Sequence, residues 1–193
     1  MKNILTRAAL LLGFLCFPVS DAVAGDVYQL DPVHSAVVFK VKHLGCSYTY
    51  GLAPNLEGEF TYDPEDPGSC SISVTVPAPD ITTEHAERDK HVLSEELLNA
   101  AKYPTMTFQS TGVKTSAGNR CEVSGNLTIM GVTRAVTFQA ELVGCIDDER
   151  AGSRCGFDAQ FTIKRSDFGF TAFLPAIGDE VTLMIGIEGV KQQ

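Results

Sequence analysis

No apolar stretch after residue 25 approaches the roughly 20 residues that a membrane-spanning helix requires. The sequence also lacks the short motifs of several enzyme classes: it has no Gly-x-Ser-x-Gly segment, no Cys-x-x-Cys pair and no His-Glu-x-x-His segment. No glycine-rich loop follows a strand and opens a helix, as phosphate-binding loops do. We therefore predict that the chain is not an enzyme and that it has no cofactor.

The first residues have the pattern of a secretory leader. Lys2 and Arg7 precede an apolar run over residues 8–19, and Ala22 and Ala24 provide the small side chains that a signal peptidase accepts. We predict that residues 1–24 are a cleaved signal peptide and that residues 25–193 form one domain. The expected location is the periplasm or the extracellular medium.

Acidic residues dominate the charge of the chain, with 24 Asp and Glu against 15 Lys and Arg. Removal of the leader leaves 23 acidic and 13 basic residues, a net charge of −10. Such a surface repels phosphate backbones and anionic headgroups at long range. We expect no nucleic-acid partner, no electrostatic docking to anionic membranes and no stable membrane insertion. A homodimer stays open.

An alternation of apolar and polar residues recurs eight times after residue 35, with the period of a strand that buries one face. Turn residues separate most of these segments. We predict an all-β fold, an eight-stranded antiparallel up-and-down lipocalin-like barrel. A two-sheet sandwich is the alternative, but closure of a barrel leaves no unpaired strand edge.

One segment departs from the alternation, because residues 84–99 have the pattern of one or two short helical turns. We place this helical insertion between the third and fourth strands. Alternating strand directions put the connections 45–53, 80–103, 130–133 and 166–179 at one end of the barrel. These loops are long and carry aromatic and glycine residues, so we expect the mouth of the barrel there.

The inward-facing positions of the eight strands are almost entirely aliphatic and aromatic. Eight strands leave an interior that side chains fill or that holds one small ligand. We predict that this interior binds a long apolar lipid. The predicted lining consists of Phe39, Val41, His43, Phe60, Val74, Met106, Phe108, Leu127, Ile129, Val136, Phe138, Phe161, Ile163, Leu183 and Ile185.

Charged and aromatic residues converge on the predicted mouth. They are Arg88, Asp89, His91, Arg165, Asp167, Phe168 and Phe170. One interpretation pairs the two arginines with the two aspartates to fix the loops; the other places an arginine against a phosphate or carboxylate headgroup. Phe168 and Phe170, together with Phe173 and Leu174 of the same loop, either plug the barrel or gate an entering chain.

Five cysteines follow the predicted leader, in a compartment that favours disulfides. Cys145 and Cys155 flank a hairpin loop and suit a bridge. We also predict a bridge between Cys70 and Cys121, although one strand should lie between them. The histidine spacings match no metal site, so we predict none.

Several short segments together resemble the YceI-like family of periplasmic, lipocalin-like polyisoprenoid-binding proteins, over residues 28–190. Their order and spacing carry the resemblance. The segments are Asp31-Pro32-Val33-His34-Ser35, Arg88-Asp89-Lys90-His91-Val92, Lys102-Tyr103-Pro104, Gly125-Asn126-Leu127-Thr128-Ile129 and Arg165-Ser166-Asp167-Phe168-Gly169. The resemblance implies an elongated barrel that holds a polyisoprenoid, such as an isoprenoid quinone or a polyprenyl phosphate, without catalytic residues.

The predicted function is therefore that of a binding or carrier protein for a long-chain isoprenoid or a fatty-acid-like lipid. Two alternatives stay open at this point. One is an accessory factor in lipid or quinone redox metabolism, and the other is an interaction module whose barrel is filled by its own side chains.

Overall fold

A computed structural model describes residues 25–192, and the predicted leader at residues 1–24 lies outside them. The strands are β1 Asp26–Leu30, β2 Ala36–His43, β3 Ser47–Ala53, β4 Glu57–Tyr62, β5 Ser71–Pro77, β6 Thr105–Thr115, β7 Arg120–Ile129, β8 Val132–Asp148, β9 Gly152–Lys164 and β10 Ile177–Lys191. One helix, α1, spans Ala86–Leu93. None of the helical segments in residues 25–192 has the length and apolarity needed to cross a bilayer.

The ten strands occupy eight positions in a closed antiparallel barrel. β1 and β2 pair one after the other with the same edge of β10, while β4 pairs with β1 and β3 pairs with β2. Each of these two tandem pairs therefore fills one position. The other six strands follow in chain order, and β10 closes the ring against β1, β2 and β9. The predicted eight-stranded barrel is confirmed.

The segment that we predicted as the loop 45–53 is largely a strand, β3, and that prediction is wrong. Its inward positions Thr49, Gly51 and Ala53 are small, whereas Tyr48 and Tyr50 point outward and are exposed. Gly51 is small because a Cβ atom there would lie 2.1 Å from Cζ of Phe39. The apolar residues thus stand on the outer face, which is the reverse of the usual pattern.

β1 and β2 are two parts of one strand position, and residues 31–35 form a bend between them. The Ser35 hydroxyl accepts a hydrogen bond from the backbone N–H of Glu188 at 3.0 Å. The Arg154 guanidinium donates to the carboxylates of both Asp31 and Glu188. These contacts tie the bend to β9 and β10. They keep the barrel wall closed at residues 31–35, where the regular backbone hydrogen bonds between strands are interrupted.

Acid should weaken this fastening, because the hydrogen bonds from His34 and then Arg154 hold the pKa of Asp31 well below its usual range. A carboxyl group whose pKa is lower in the folded than in the unfolded state stabilises the fold at pH values above its unfolded-state pKa, which is about 4. That contribution is lost as the pH falls from about 4 towards the lower folded value. We expect the free energy of unfolding to fall less between pH 7 and pH 3 in Asp31→Asn than in the wild type. Urea unfolding at pH 7 and pH 3 measures this, with the exposed Asp147→Asn as control; parallel losses in both variants would contradict it.

The helical insertion lies between β5 and β6, which correspond to the third and fourth strands of the prediction, but α1 is shorter than the predicted segment 84–99. It begins where the His85 ring nitrogen Nδ1 accepts a hydrogen bond from the Arg88 backbone N–H. It ends at Ser94, whose hydroxyl donates to the carbonyl of His91. Turns complete the insertion up to β6.

The connections between strands alternate between the two ends of the barrel. The turn 44–46, the insertion 78–104, the turn 130–131 and the loop 165–176 lie at one end, the mouth. The turns 63–70, 116–119 and 149–151 lie at the other, the far end. Long segments thus gather at the mouth, and short turns gather at the far end.

A disulfide joins Cys145 and Cys155, which face each other in the register of β8 and β9. Their sequence separation of 10 residues makes the closed loop short. We expect Cys145→Ser to lower the free energy of unfolding by about 2–3 kcal/mol, because the unfolded chain gains the entropy that the bridge removes. Urea titration measures this loss. Cys46→Ser, which removes an exposed free thiol, is the control and should leave stability unchanged. Equal stability of the wild type and Cys145→Ser would contradict the expectation.

Candidate functional site

The barrel encloses one large apolar cavity of about 850 Å³, lined by residues from both ends. At the mouth it is bordered by His91 and Phe173, and at the far end by Pro64, Gly118 and Asn119. The cavity therefore runs along the length of the barrel. Its volume lies near the upper end of the range of small-molecule pockets, about 300–1,000 Å³.

Fourteen of the fifteen residues predicted to line the interior lie on the cavity wall. Val136 is the exception, since it packs into the core cluster around Leu127 and Phe168. The predicted list missed Val37, Leu56 and Phe157, although all three stand at inward positions of the alternation.

Three phenylalanines form an aromatic wall across the middle of the cavity. The rings of Phe138 and Phe161 stack with centroids 4.5 Å apart, and the ring of Phe108 lies 5.5 Å from that of Phe138. Gly125 makes room for Phe108, because a Cβ atom there would lie 2.4 Å from its Cζ. Such mutually packed rings give the cavity a defined apolar surface at its centre.

Helix α1 and the lid loop, residues 166–176, cover the mouth. The rings of His91 in α1 and Phe173 in the lid loop meet edge to face, with centroids 5.0 Å apart. Arg88 lines the cavity, and its guanidinium donates hydrogen bonds to the hydroxyl and the carbonyl of Thr83. Helix and lid loop thus touch above the cavity.

Arg165 is buried, with 3 % of its surface exposed, yet its partners are uncharged. Nε donates to the carbonyl of Gly178 at 2.9 Å, and the two Nη atoms donate to the carbonyls of Phe170, Ala172 and Ile177. Burial lowers the pKa of this guanidinium, but an arginine stays protonated in proteins. The Arg165 side chain therefore holds the lid loop in place through hydrogen bonds to the backbone carbonyls of the loop.

The interpretation that pairs the mouth arginines with Asp89 and Asp167 is wrong. Asp89 accepts hydrogen bonds from the hydroxyls of Thr82 and Thr83 and from the backbone N–H of Thr83, which lowers the pKa of its carboxyl. Asp167 is exposed. Among residues 25–192, no ion pair joins either aspartate to an arginine. Backbone carbonyls and threonines serve as the partners instead.

Four of the seven predicted mouth residues line the cavity, and three do not. Arg88, His91, Arg165 and Phe170 line the cavity, and Phe170 also lies under the Arg165 guanidinium, 5.5 Å from it. Phe168 is buried and packs with Leu127 and Ile163 in a core cluster, and it does not line the cavity. Asp89 and Asp167 do not reach the cavity.

The predicted bridge between Cys70 and Cys121 is absent, and the structure gives both residues free thiols. Both line the far end of the cavity, and burial raises the pKa of each thiol. β6 separates their strands, which is the obstacle that the sequence pattern indicated. Two strand spacings of about 4.8 Å exceed the usual span between bridged Cα atoms.

One group of possible metal ligands occurs in the described part of the chain, formed by Asp31, His34 and Glu188. Arg154 already donates to both of its carboxylates. These residues therefore help to tie the bend at residues 31–35 to the neighbouring strands, which accounts for their proximity.

Comparison with known proteins gives a consistent result. The family model described as "YceI-like domain" matches residues 28–189. The chain is 43% identical over 189 residues to "Protein YceI" from Salmonella arizonae, a match that covers 95% of this chain and 98% of that protein. It is 42% identical over 189 residues to a "UPF0312 protein" from Pseudomonas aeruginosa, covering 97% and 98%.

Solved structures share the fold. A YCEI protein from Campylobacter jejuni matches with a TM-score of 0.70 and 28% identity, over 79% of this chain and 90% of that one. BcnA from Burkholderia cenocepacia matches with a TM-score of 0.74 and 24% identity, over 82% and 98%. A polyisoprenoid binding domain from Saccharophagus degradans matches with a TM-score of 0.67 and 16% identity, over 86% and 98%.

Proposed function

Because the chain belongs to the YceI-like family, we propose that it binds the apolar chain of a long lipid inside its barrel and carries it without chemical change. The observation that supports this most directly is the cavity of about 850 Å³, whose wall is aliphatic and aromatic along its length. A cavity of that size is far larger than the occasional water-sized void of a packed protein core. It favours a binding protein over an interaction module with a filled barrel.

The proposed cargo is a polyisoprenoid, such as an isoprenoid quinone or a polyprenyl phosphate. The Saccharophagus degradans barrel is described as a polyisoprenoid binding domain, and we carry that ligand class to this chain as a proposal. The cavity suits it, because the wall has few polar groups between its two ends, while Arg88 and His91 stand at the mouth where a headgroup would lie.

We also place this activity in the periplasm or outside the cell. The predicted signal peptide at residues 1–24 supports that location. The Cys145–Cys155 disulfide supports it independently, since such bridges form and persist in oxidising compartments.

A chain-length series tests the proposal. Each buried methylene contributes roughly 0.8 kcal/mol, less the entropy of ordering the chain, so affinity should rise several-fold for every two carbons until the cavity is full. Displacement of a fluorescent alkyl probe by fatty acids and by linear isoprenoid alcohols measures this. Affinities that do not change with chain length would overturn the proposal, as would a wild-type protein that takes up no probe.

Native mass spectrometry of protein purified from its own periplasm identifies the cargo. A stoichiometric long-chain isoprenoid, released on denaturation, would support the polyisoprenoid assignment. A long-chain lipid of another class would leave the binding proposal standing and replace that assignment.

A further inference from the structure

We infer that the mouth of the barrel docks on the surface of a phospholipid bilayer, with a small apolar tip entering the headgroup layer; this rests on the proposed lipid-binding function. The tip consists of Leu44, Phe173 and Leu174, whose side chains are 63%, 43% and 38% exposed. Leu44 lies in the turn between β2 and β3, and the other two lie in the lid loop. A hydrogen bond of 2.7 Å from the Leu44 N–H to the Ala176 carbonyl joins the turn to the lid loop.

The backbone at the tip makes these side chains unusual. Leu44 and Gly45 are the central residues of the turn 43–46, and their φ angles of +50° and +73° are those of a type I′ turn, which favours asparagine and glycine. Phe173 has a φ angle of +62°. Large side chains rarely adopt positive φ, and here two of them do so while exposing apolar surface to water. Phe173 also packs on His91 and lines the cavity, whereas the fold of residues 25–192 gives Leu44 no apolar partner that would account for a leucine at this turn; contact with an apolar phase does account for it.

The outer face of β2 and β3, next to the tip, has the character of a membrane-interface surface. Lys40 stands opposite Tyr50 and Lys42 stands opposite Tyr48, and all four side chains point away from the cavity. The Lys40 ammonium lies 5.3 Å from the centre of the Tyr48 ring. Tyrosines partition to the headgroup layer, and lysines reach the phosphates from there.

The charge of the protein is unevenly divided along the barrel axis. The mouth half holds eight basic and nine acidic residues, whereas the far half holds five basic and fourteen acidic residues. The mouth half consists of residues 37–53, 77–110, 127–137 and 160–185, and the far half consists of the remaining described residues. The net charges are therefore −1 and −9. The net charge of the whole chain predicted repulsion from anionic surfaces. Because the far half carries almost all of the negative charge, an anionic surface repels the far end and orients the nearly neutral mouth towards itself.

Acidic residues also lie near the tip, among them Asp167, which is exposed in the lid loop. Glu180 stands opposite Lys164 in the register of β9 and β10, and Asp179 accepts hydrogen bonds from the backbone N–H and hydroxyl of Ser166. Glu84 lines a groove together with Tyr48 and Arg88. Among residues 25–192, no ion pair involves Lys40 or Lys42, so both remain available to lipid phosphates.

Docking in this orientation would place the cavity opening at the bilayer surface. A lipid chain could then pass between bilayer and cavity without exposing its methylene groups to water, which the hydrophobic effect disfavours. Phe173 belongs to both the tip and the cavity lining, so the two apolar surfaces are continuous.

Vesicle co-sedimentation tests the inference with the full mature chain. The vesicles contain phosphatidylethanolamine and phosphatidylglycerol at 3:1. We expect the wild type to sediment with them and Leu44→Asn to bind roughly tenfold more weakly, because asparagine suits the turn but removes the apolar side chain. Addition of Leu174→Gln should reduce binding below detection.

The matched control is Val143→Thr with Ile146→Thr, which removes two exposed apolar side chains, 74% and 60% exposed, from the far half. It should bind vesicles as the wild type does. The inference is overturned if the wild type stays in the supernatant, if the tip variants bind like the wild type, or if the far-half control loses as much binding as they do.

Probe uptake by the wild type in vesicle-free buffer separates the two proposals. Uptake without vesicle binding would refute the docking surface alone. Absence of uptake would refute the lipid-binding function, whatever the vesicles show.

Discussion

Phe161→Asp should abolish lipid uptake while the barrel stays folded. The Phe161 ring lies on the cavity wall and stacks on Phe138, at the middle of the apolar lining. An aspartate there keeps its charge by holding water in the cavity, and a lipid chain would have to displace that water. The cost of leaving a carboxylate without water or a partner is several kcal/mol, so we expect affinity to fall by at least about 100-fold.

Fluorescent probe uptake measures this effect, and circular dichroism checks the fold. The neighbouring Thr162→Asp places the same charge on the outer face, where Thr162 is exposed, and should leave uptake unchanged. Phe161→Leu keeps the wall apolar and should retain most of the affinity. If folded Phe161→Asp takes up the probe as the wild type does, Phe161 does not contact the ligand.

Arg165→Lys should destabilise the protein by about 2–4 kcal/mol although it preserves the charge. The guanidinium makes four hydrogen bonds to backbone carbonyls of the lid loop and β10 from a position that is almost fully buried. An ammonium group cannot span these partners in a plane, and carbonyls left without donors in the interior are costly. Lid opening should therefore become easier in this variant.

Urea unfolding gives the stability, and hydrogen exchange of the lid loop amides gives its opening. The exposed neighbour Lys164→Gln is the control and should change neither. If Arg165→Lys is as stable as the wild type but selectively loses affinity for lipids with phosphate headgroups, Arg165 contacts the headgroup and does not fasten the loop.

Much of the barrel could be predicted because period-two alternation is strong wherever a strand buries one face. β7, β9 and β10 are long, and most of their inward positions are aliphatic or aromatic, so their existence and the face that they bury follow from the residues alone. Sequence reasoning failed at β3, where the neighbouring Phe39 ring fills the interior and forces small residues inward. It also missed β1, which has five residues and depends on β4 and β10 for its pairing.

The site was less predictable than the fold. The alternation identified the cavity wall, because the side to which a residue points is fixed by its position within its own strand. The partners of Arg165 and Asp89 were not predictable, since backbone carbonyls and threonines leave no complementary charge in the sequence. The free thiols of Cys70 and Cys121 likewise depend on the spacing across β6, which the residue pattern does not fix.

β10, the last strand of the chain, pairs with three others: β9 on one edge and β1 and β2 on the other. If the chain is exported N-terminus first, as the proposed location requires, the ring cannot form until β10, Ile177–Lys191, has emerged. Until then the edges of β2 and β9 are open to other chains, which is the state most exposed to aggregation. Because these pairings are distant in sequence, closure of the ring should limit the folding rate. Even a short C-terminal deletion should leave a chain that degradation removes before it acquires a lipid.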